Sequence, residues 1–418
     1  MRNAKKLCHE IAILFAFFVL IAVAACSKGA TEPSAPFWRG NTHTHTLWSD
    51  GDGAPELVAD AYRAAGYDFL VLSDHNVLSH GERWFPISTD ERSRLTPTRV
   101  AELRRRFGAE NVVVRPTDSG QEMRLRTLVE LRESFEEAGE FLFIQGEEVT
   151  ASFKDAAGRG HPVHVNAVNL ARLVKPLDGA SVRAVMNANV DAIVADGASS
   201  GRPVLAHINH PNFGWAMTWE DVAHVVNDRF FEIYNGHRGV NNHGVRDDAR
   251  RLGTEEIWDR ALVLRLTELN LGLLYGVATD DAHHYHGTVT AQMERGWVMV
   301  RSQNLDADSI VEAMQLGDFY ASNGVALDDV KRDGDTLTVD IRTEPGVTYR
   351  TRFIGTRRTG DGIGAIGEVL AETDEDPARY RMTGDELYVR AVCVSSRKHP
   401  NPFAGGDLES AWVQPVTP

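Results

Sequence analysis

The chain has 418 residues, 43% hydrophobic and 25% charged, and its 59 Asp and Glu outnumber 44 Lys and Arg for a formal net charge of −15 at pH 7. An apolar fraction of this size fills a large core, which excludes intrinsic disorder, and the charge density excludes a multi-span membrane protein. A surface this acidic repels phosphate backbones, so nucleic acid is not an expected partner.

At the start of the chain, Arg2, Lys5 and Lys6 precede an apolar run over 11–25 that ends in small residues before Cys26. That is the pattern of an export leader, and the run is shorter than the roughly 20 residues of a spanning helix. Val23-Ala24-Ala25-Cys26 resembles the bacterial lipobox, which implies a signal peptide over 1–25 and a mature chain lipidated at Cys26. Ser27 resembles the outer-membrane sorting rule, so the expected location is the cell envelope, lipid-anchored to the outer membrane and facing the periplasm. Residues 26–36 read as a flexible tether. With Cys8 in the leader and Cys26 lipidated, only Cys393 remains as a thiol. An intramolecular disulfide is therefore not expected, and Cys393 reads as a buried strand residue.

Seven short apolar runs follow, at 37–44, 68–73, 141–145, 163–169, 203–208, 230–234 and 272–278. Helical patterns at 55–65, 124–138, 181–195 and 255–269 lie between them, which predicts a parallel α/β architecture. A further strand and helix are expected at 296–300 and 309–316. From about residue 326 the pattern changes to short alternating segments at 336–342, 347–354 and 386–394. These predict a small all-β, sandwich-like domain over 326–418, after a catalytic domain over 37–325.

Histidines and carboxylates gather where the runs end. His43, His45 and Asp50 follow the first, Asp74 and His75 the second, Glu147 and Glu148 the third, His207 and His210 the fifth, and Asp281 and His283 the seventh; His164 lies inside the fourth. Side chains two apart on a strand share a face, about 6.5 to 7 Å apart, so His43 and His45 can close on one ion. In a parallel barrel these strand ends meet on one face. Imidazole with carboxylate suits Zn, Mn or Fe, and more than four such ligands imply at least two ions. Asp74 is expected to orient His75 from behind. His161, His284 and His286 read as loop and rim residues, and His237 and His243 as possible hydrogen-bonding partners of a substrate. Lys154, Arg159 and Arg238 are candidates to meet an anion, with loops 77–90 and 153–160 at the mouth.

His43-Thr44-His45-Thr46 with Ser49-Asp50-Gly51, then Leu72-Ser73-Asp74-His75, resembles the first two motifs of the PHP (polymerase and histidinol phosphatase) domain. Gly146-Glu147-Glu148-Val149-Thr150, His164, His210-Pro211 and Asp281-Ala282-His283 resemble the rest, over roughly residues 37–325. The resemblance implies a distorted seven-stranded (β/α) barrel with a di- or trinuclear metal site. It implies His43, His45, Glu148, His164, His210, Asp281 and His283 as ligands, Glu148 as the bridge in place of Glu147, and His210 in place of His207. Asp50 and His75 would complete a third position. The leader, the segment around Glu232 and the β tail look closest to the subgroup that includes carbamate-ester hydrolases.

Water held by two divalent ions has its pKa lowered toward neutrality, and Asp281 is the candidate to accept its proton. The expected function is therefore hydrolysis of a small phosphate ester by a metal-bridging hydroxide with two or three Zn, Mn or Fe ions. A carboxylic or carbamate ester hydrolase with the same site, and a non-catalytic metal-dependent binding lipoprotein, are the alternatives.

Overall fold

The structure, a computed structural model, describes residues 35–287 and 291–418. The expected leader, the expected lipidation at Cys26 and most of the expected 26–36 tether fall on residues outside the described ones. β1 (Phe37–Asn41) leads through a loop to α1 (Pro55–Ala64), which Pro55 opens at a position where its missing N–H costs nothing. The inner face of α1, Val58, Ala59 and Tyr62, packs on Leu70 and Leu72 of β2 (Phe69–Leu72).

Residues 76–140 form a unit of which strand and helix patterning predicted only the helical stretch at 124–138. β3 (Trp84–Ile87), β4 (Val114–Thr117) and β5 (Gly120–Arg124) make a separate antiparallel sheet in the order β3-β5-β4, with α2 (Pro97–Phe107) and α3 (Leu128–Phe135). Thr96 caps α2, and a Thr127/Glu130 capping box starts α3. The unit has its own core of Leu95, Val100, Leu103, Val112, Met123 and Leu125, and Leu47 and Trp48 from the loop after β1 are embedded in it.

The chain continues through β6 (Leu142–Lys154), β7 (Gly160–Val168), α4 (Val182–Ser200), β8 (Leu205–Ile208), α5 (Trp219–Ala223), β9 (Phe230–Asn235), α6 (Thr254–Leu264) and β10 (Tyr275–Thr279). Seven strands lie in the order β10-β9-β8-β7-β6-β2-β1 within a large mixed sheet. The all-parallel expectation is corrected at β7, which pairs antiparallel with both β6 and β8. A tight turn over 155–159 returns the chain directly, with Asp155 N bonded to Arg159 O at 3.0 Å, so no crossover helix intervenes. Beyond the strand ends, a parallel bridge between Thr44 and Ala282 joins the extensions of β1 and β10.

β11 (Trp297–Arg301) pairs antiparallel with β1, and α7 (Ala307–Gln315) leads to β12 (Phe319–Ser322). The C-terminal residues form β13 (Leu327–Asp333), β14 (Thr336–Ile341), β15 (Tyr349–Thr359), β16 (Gly362–Ile363), β17 (Glu368–Thr373), β18 (Ala378–Arg381), β19 (Glu386–Lys398) and β20 (Leu408–Val416). β20 pairs with β12, so this half extends the same sheet, while β13-β14-β18 form a second one. Alternate residues Leu337, Val339 and Ile341 point into a shared core with Phe353, Ala391 and Cys393. Burial pushes the Cys393 thiol up to about 12, which leaves it unreactive.

Candidate metal centre

The structure brings nine residues from six segments together: His43, His45, Asp50, His75, Glu148, His164, His210, Asp281 and His283. Their nitrogens and oxygens form four overlapping groups that could hold metal ions, each with its atoms within 4.8 Å of one another. One is His43, His210 and Asp281; a second is His43, His45 and Glu148; a third is His75, Glu148 and His164; the outermost is His45, Asp50, His75 and His283. His43 and His45 point to one side of the extended segment, with their Nε2 atoms 3.1 Å apart. Glu148 is central. Its Oε1 lies 2.9 Å from His164 Nδ1, 3.3 Å from His210 Nε2 and 3.4 Å from His43 Nε2, and its Oε2 lies 2.7 Å from His75 Nδ1. Glu147 faces the other way, its Oε1 accepting from Val174 N at 2.6 Å. His210 enters the cluster, whereas His207 is buried behind His43 and takes part in none of the four groups. His210 (φ 27°) and Asp281 (φ 47°) both adopt the left-handed backbone region, a strain that concentrates at functional sites.

A layer of residues without a metal-binding role in the sequence reading fixes these groups. Glu232, buried on β9, accepts from His43 Nδ1 (2.7 Å) and Thr279 Oγ1 (2.7 Å) through Oε1, and from His210 N (2.7 Å) and Asn235 Nδ2 (2.8 Å) through Oε2. It turns His43 Nε2 toward the cluster, as carboxylates behind ligating histidines do. A lone carboxylate inside the apolar strand Phe-Phe-Glu-Ile was the sequence clue to it. Asn209 donates to Glu148 Oε1 at 2.8 Å. Asp280 gathers Asn41 Nδ2, Tyr62 OH and Tyr67 OH on one oxygen and the backbone N–H groups of Arg295 and Gly296 on the other. It thereby ties the end of β1 to the end of β10, where His43 and Asp281 stand.

Asp74 does something other than the expected orientation of His75. Its oxygens accept from Thr46 N, Thr46 Oγ1 and Ser49 Oγ at 2.6 to 2.8 Å, so it braces the turn after His45. His75 is oriented by Thr150 Oγ1 instead, 2.5 Å from its Nδ1. The Asp50 loop is also held by the 76–140 unit: Arg94 Nη1 donates to Ser49 O (2.5 Å) and Gly51 O (3.2 Å), and Trp48 Nε1 to Arg126 O (2.9 Å).

Burial by itself would raise the carboxyls, but the imidazoles of His164, His43 and His75 hold Glu148 well below the usual carboxylate range, and His43 and His45 do the same for Asp281. Burial, with His283 beside it, pushes His45 down to about 3, so its ring is neutral and free to ligate. Against burial, nearby carboxylates raise His43, His75, His210 and His283, whose protons a bound cation would displace, and carboxylates set beside imidazole nitrogens form a donor set suited to Zn, Mn or Fe.

A cavity of about 420 Å³ opens over the cluster, walled by all of its residues but His43 and His45 together with Phe213, His237 and His284. Gly239 N donates to His237 Nδ1 at 2.9 Å, which leaves Nε2 as the donor of a neutral His237 ring. His243 lies elsewhere, 3.2 Å from Asp407, and His161 packs beside Asp155 and Phe153. Lys154, Arg159 and Arg238 are not among the cavity residues, and Arg159 pairs with Asp155 at 3.4 Å. Residues 84–87 of the presumed 77–90 mouth loop form β3.

No family model matches this sequence, and no curated protein matches it either. Among solved structures, the chain is similar to a two-domain protein from Bacteroides vulgatus containing a predicted PHP-like metal-dependent phosphoesterase. That likeness has a TM-score of 0.38 and 16% identity, and covers 91% of this chain and 96% of that one. It is also similar to a protein from Bifidobacterium adolescentis proposed to be a metal-dependent phosphoesterase (TM-score 0.32, 13% identity, 68% and 96% covered). A third is an amidohydrolase from Chromobacterium violaceum with bound sulfate and no metal (TM-score 0.28, 14% identity, 59% and 88% covered). Alignments this loose leave the chemistry to the residues themselves.

Proposed function

We propose that this chain is a PHP-type hydrolase that uses two or three divalent ions to cleave a small phosphate ester, tethered through Cys26 to the outer membrane on its periplasmic side. The observation that carries this reading is the convergence of nine His, Asp and Glu side chains from six segments around Glu148. The seven strands from β10 to β1, with the Thr44–Ala282 bridge, are read as a distorted seven-stranded barrel over 37–325, and residues 326–418 as a β-sandwich domain.

Divalent ions at this site would neutralise a phosphoryl group and lower the pKa of water. The chain's own contribution is orientation. Asn235 Nδ2 donates to Asp281 Oδ2 at 3.1 Å, turning Oδ1 toward His43 and His45, 3.3 and 3.4 Å away, as the atom to accept a proton. Purified with Mn or Zn, the protein is expected to hydrolyse p-nitrophenyl or bis-p-nitrophenyl phosphate, to lose this activity to a chelator, and to regain it with added metal. Asp281→Asn should reduce turnover more than metal content. A carboxylic or carbamate ester is the second reading, favoured by the lack of any Lys or Arg among the cavity residues. Turnover of 1-naphthyl esters with none on either phosphate would decide for it.

The anchor has its own test. Expressed in a Gram-negative host, the wild type should carry an acyl mass at its N-terminus and sediment with membranes, and Cys26→Ala should do neither. An unlipidated wild type refutes the tether.

A further inference from the structure

Phe213 is the one apolar side chain among the residues that wall the cavity; the other nine are His, Asp or Glu. It is 36% exposed. A single exposed apolar residue is ordinary on a protein surface, but Phe213 is held in place by an unusual piece of backbone. It lies between His210 (φ 27°) on one side and Gly214 (φ 60°) and Trp215 (φ 54°) on the other, three left-handed residues within six positions. The turn is tied to its neighbours: buried Asn212 donates to Asn241 O (2.8 Å) and Leu252 O (2.9 Å), and Met217 N bonds back to Pro211 O (3.2 Å). Ala216 and Met217 are buried behind it, while the Phe213 ring stays at the mouth. Its centroid is 5.3 Å from that of His210 and 6.4 Å from that of His237, with the rings at 65° and 88°, so an aromatic ring stands beside the metal groups.

We propose that Phe213 selects substrates whose leaving group is an uncharged planar aromatic ring, packed against the Phe213 ring while the ester group meets the metal centre. This rests on the hydrolase reading and names its substrate class. The cavity, about 420 Å³, is large enough for a phenyl ester. With no Lys or Arg in its wall, a second anionic group on the leaving side would face carboxylates without compensation, which disfavours substrates carrying several phosphates. Aromatic pairing contributes about 0.5 to 1.5 kcal/mol beyond area burial, which corresponds to a preference of about 2- to 10-fold.

The test is equilibrium titration of the full-length, Mn-loaded protein with phenylphosphonate and methylphosphonate. Phenylphosphonate should bind about 2- to 10-fold more tightly to the wild type. That ratio should shrink to near unity in Phe213→Ala, shrink less in Phe213→Leu and be retained in Phe213→Tyr, with Mn content the same in all four. Equal wild-type affinities, a ratio unchanged in Phe213→Ala, or no binding of either phosphonate overturns the proposal. Binding with the expected ratio but no turnover of any ester would instead overturn the hydrolase reading and leave the aromatic selectivity standing.

Discussion

Glu148→Gln is expected to lower hydrolytic activity by more than about 100-fold, the upper range for losing a residue that merely supports a ligand, and to reduce bound metal. The carboxylate reaches His164, His210 and His43 through one oxygen and His75 through the other, and it belongs to two of the four candidate groups. Gln keeps the shape but replaces one oxygen with an N–H₂ that cannot ligate a cation. Glu147→Gln is the matched control. Glu147 lies one residue away on the opposite face, and burial pushes its carboxyl up to about 7, so the neutral amide is a close substitute. Elemental analysis and turnover on the two variants and the wild type make the measurement. A Glu148→Gln protein with wild-type metal content and rate would remove Glu148 from the centre.

Arg390→Ala is expected to destabilise the fold by about 3 to 5 kcal/mol, the range for stranding one partner of a buried ion pair. Arg390, on β19, is 1% exposed and holds Asp259 of α6 in a two-pronged bond, Nε to Oδ1 at 2.8 Å and Nη2 to Oδ2 at 2.7 Å. Its third nitrogen reaches Glu255 at 3.1 Å, Tyr388 OH also donates to Asp259, and the guanidinium lies 4.9 Å from the Trp258 ring centroid. These contacts join the C-terminal strands to the helix that follows β9, the strand carrying Glu232. Removing Arg390 leaves a carboxylate buried without its cation. The double variant Arg390→Met with Asp259→Leu should recover most of the loss, because no charge is then left unpaired. Chemical denaturation of the three proteins tests this, and a loss below about 1 kcal/mol in Arg390→Ala would show that the clasp carries little.

Which residues could meet at the centre was legible in the sequence, because strand periodicity is local. His43 and His45, two apart in an extended segment, had to share a face, and Glu147 and Glu148, one apart, had to oppose each other. Alternation likewise pointed to the core positions of β14, and the apolar runs to most strands of the large sheet. What local pattern could not contain is where distant segments land. The antiparallel return of β7 depends on a five-residue turn with no hydrophobic signature, and the 76–140 unit depends on Leu47 and Trp48 reaching a core built some fifty residues later. Glu232 against His43, Asp74 against the 46–49 turn, and Arg94 against the Asp50 loop are contacts across 189, 28 and 45 residues of chain or less. Imidazoles and carboxylates gathered at strand ends in such number already pointed to metal binding before any fold was known. Which carboxylate meets which histidine is a matter of packing, because a buried carboxylate takes whatever donors are brought within about 3 Å of it.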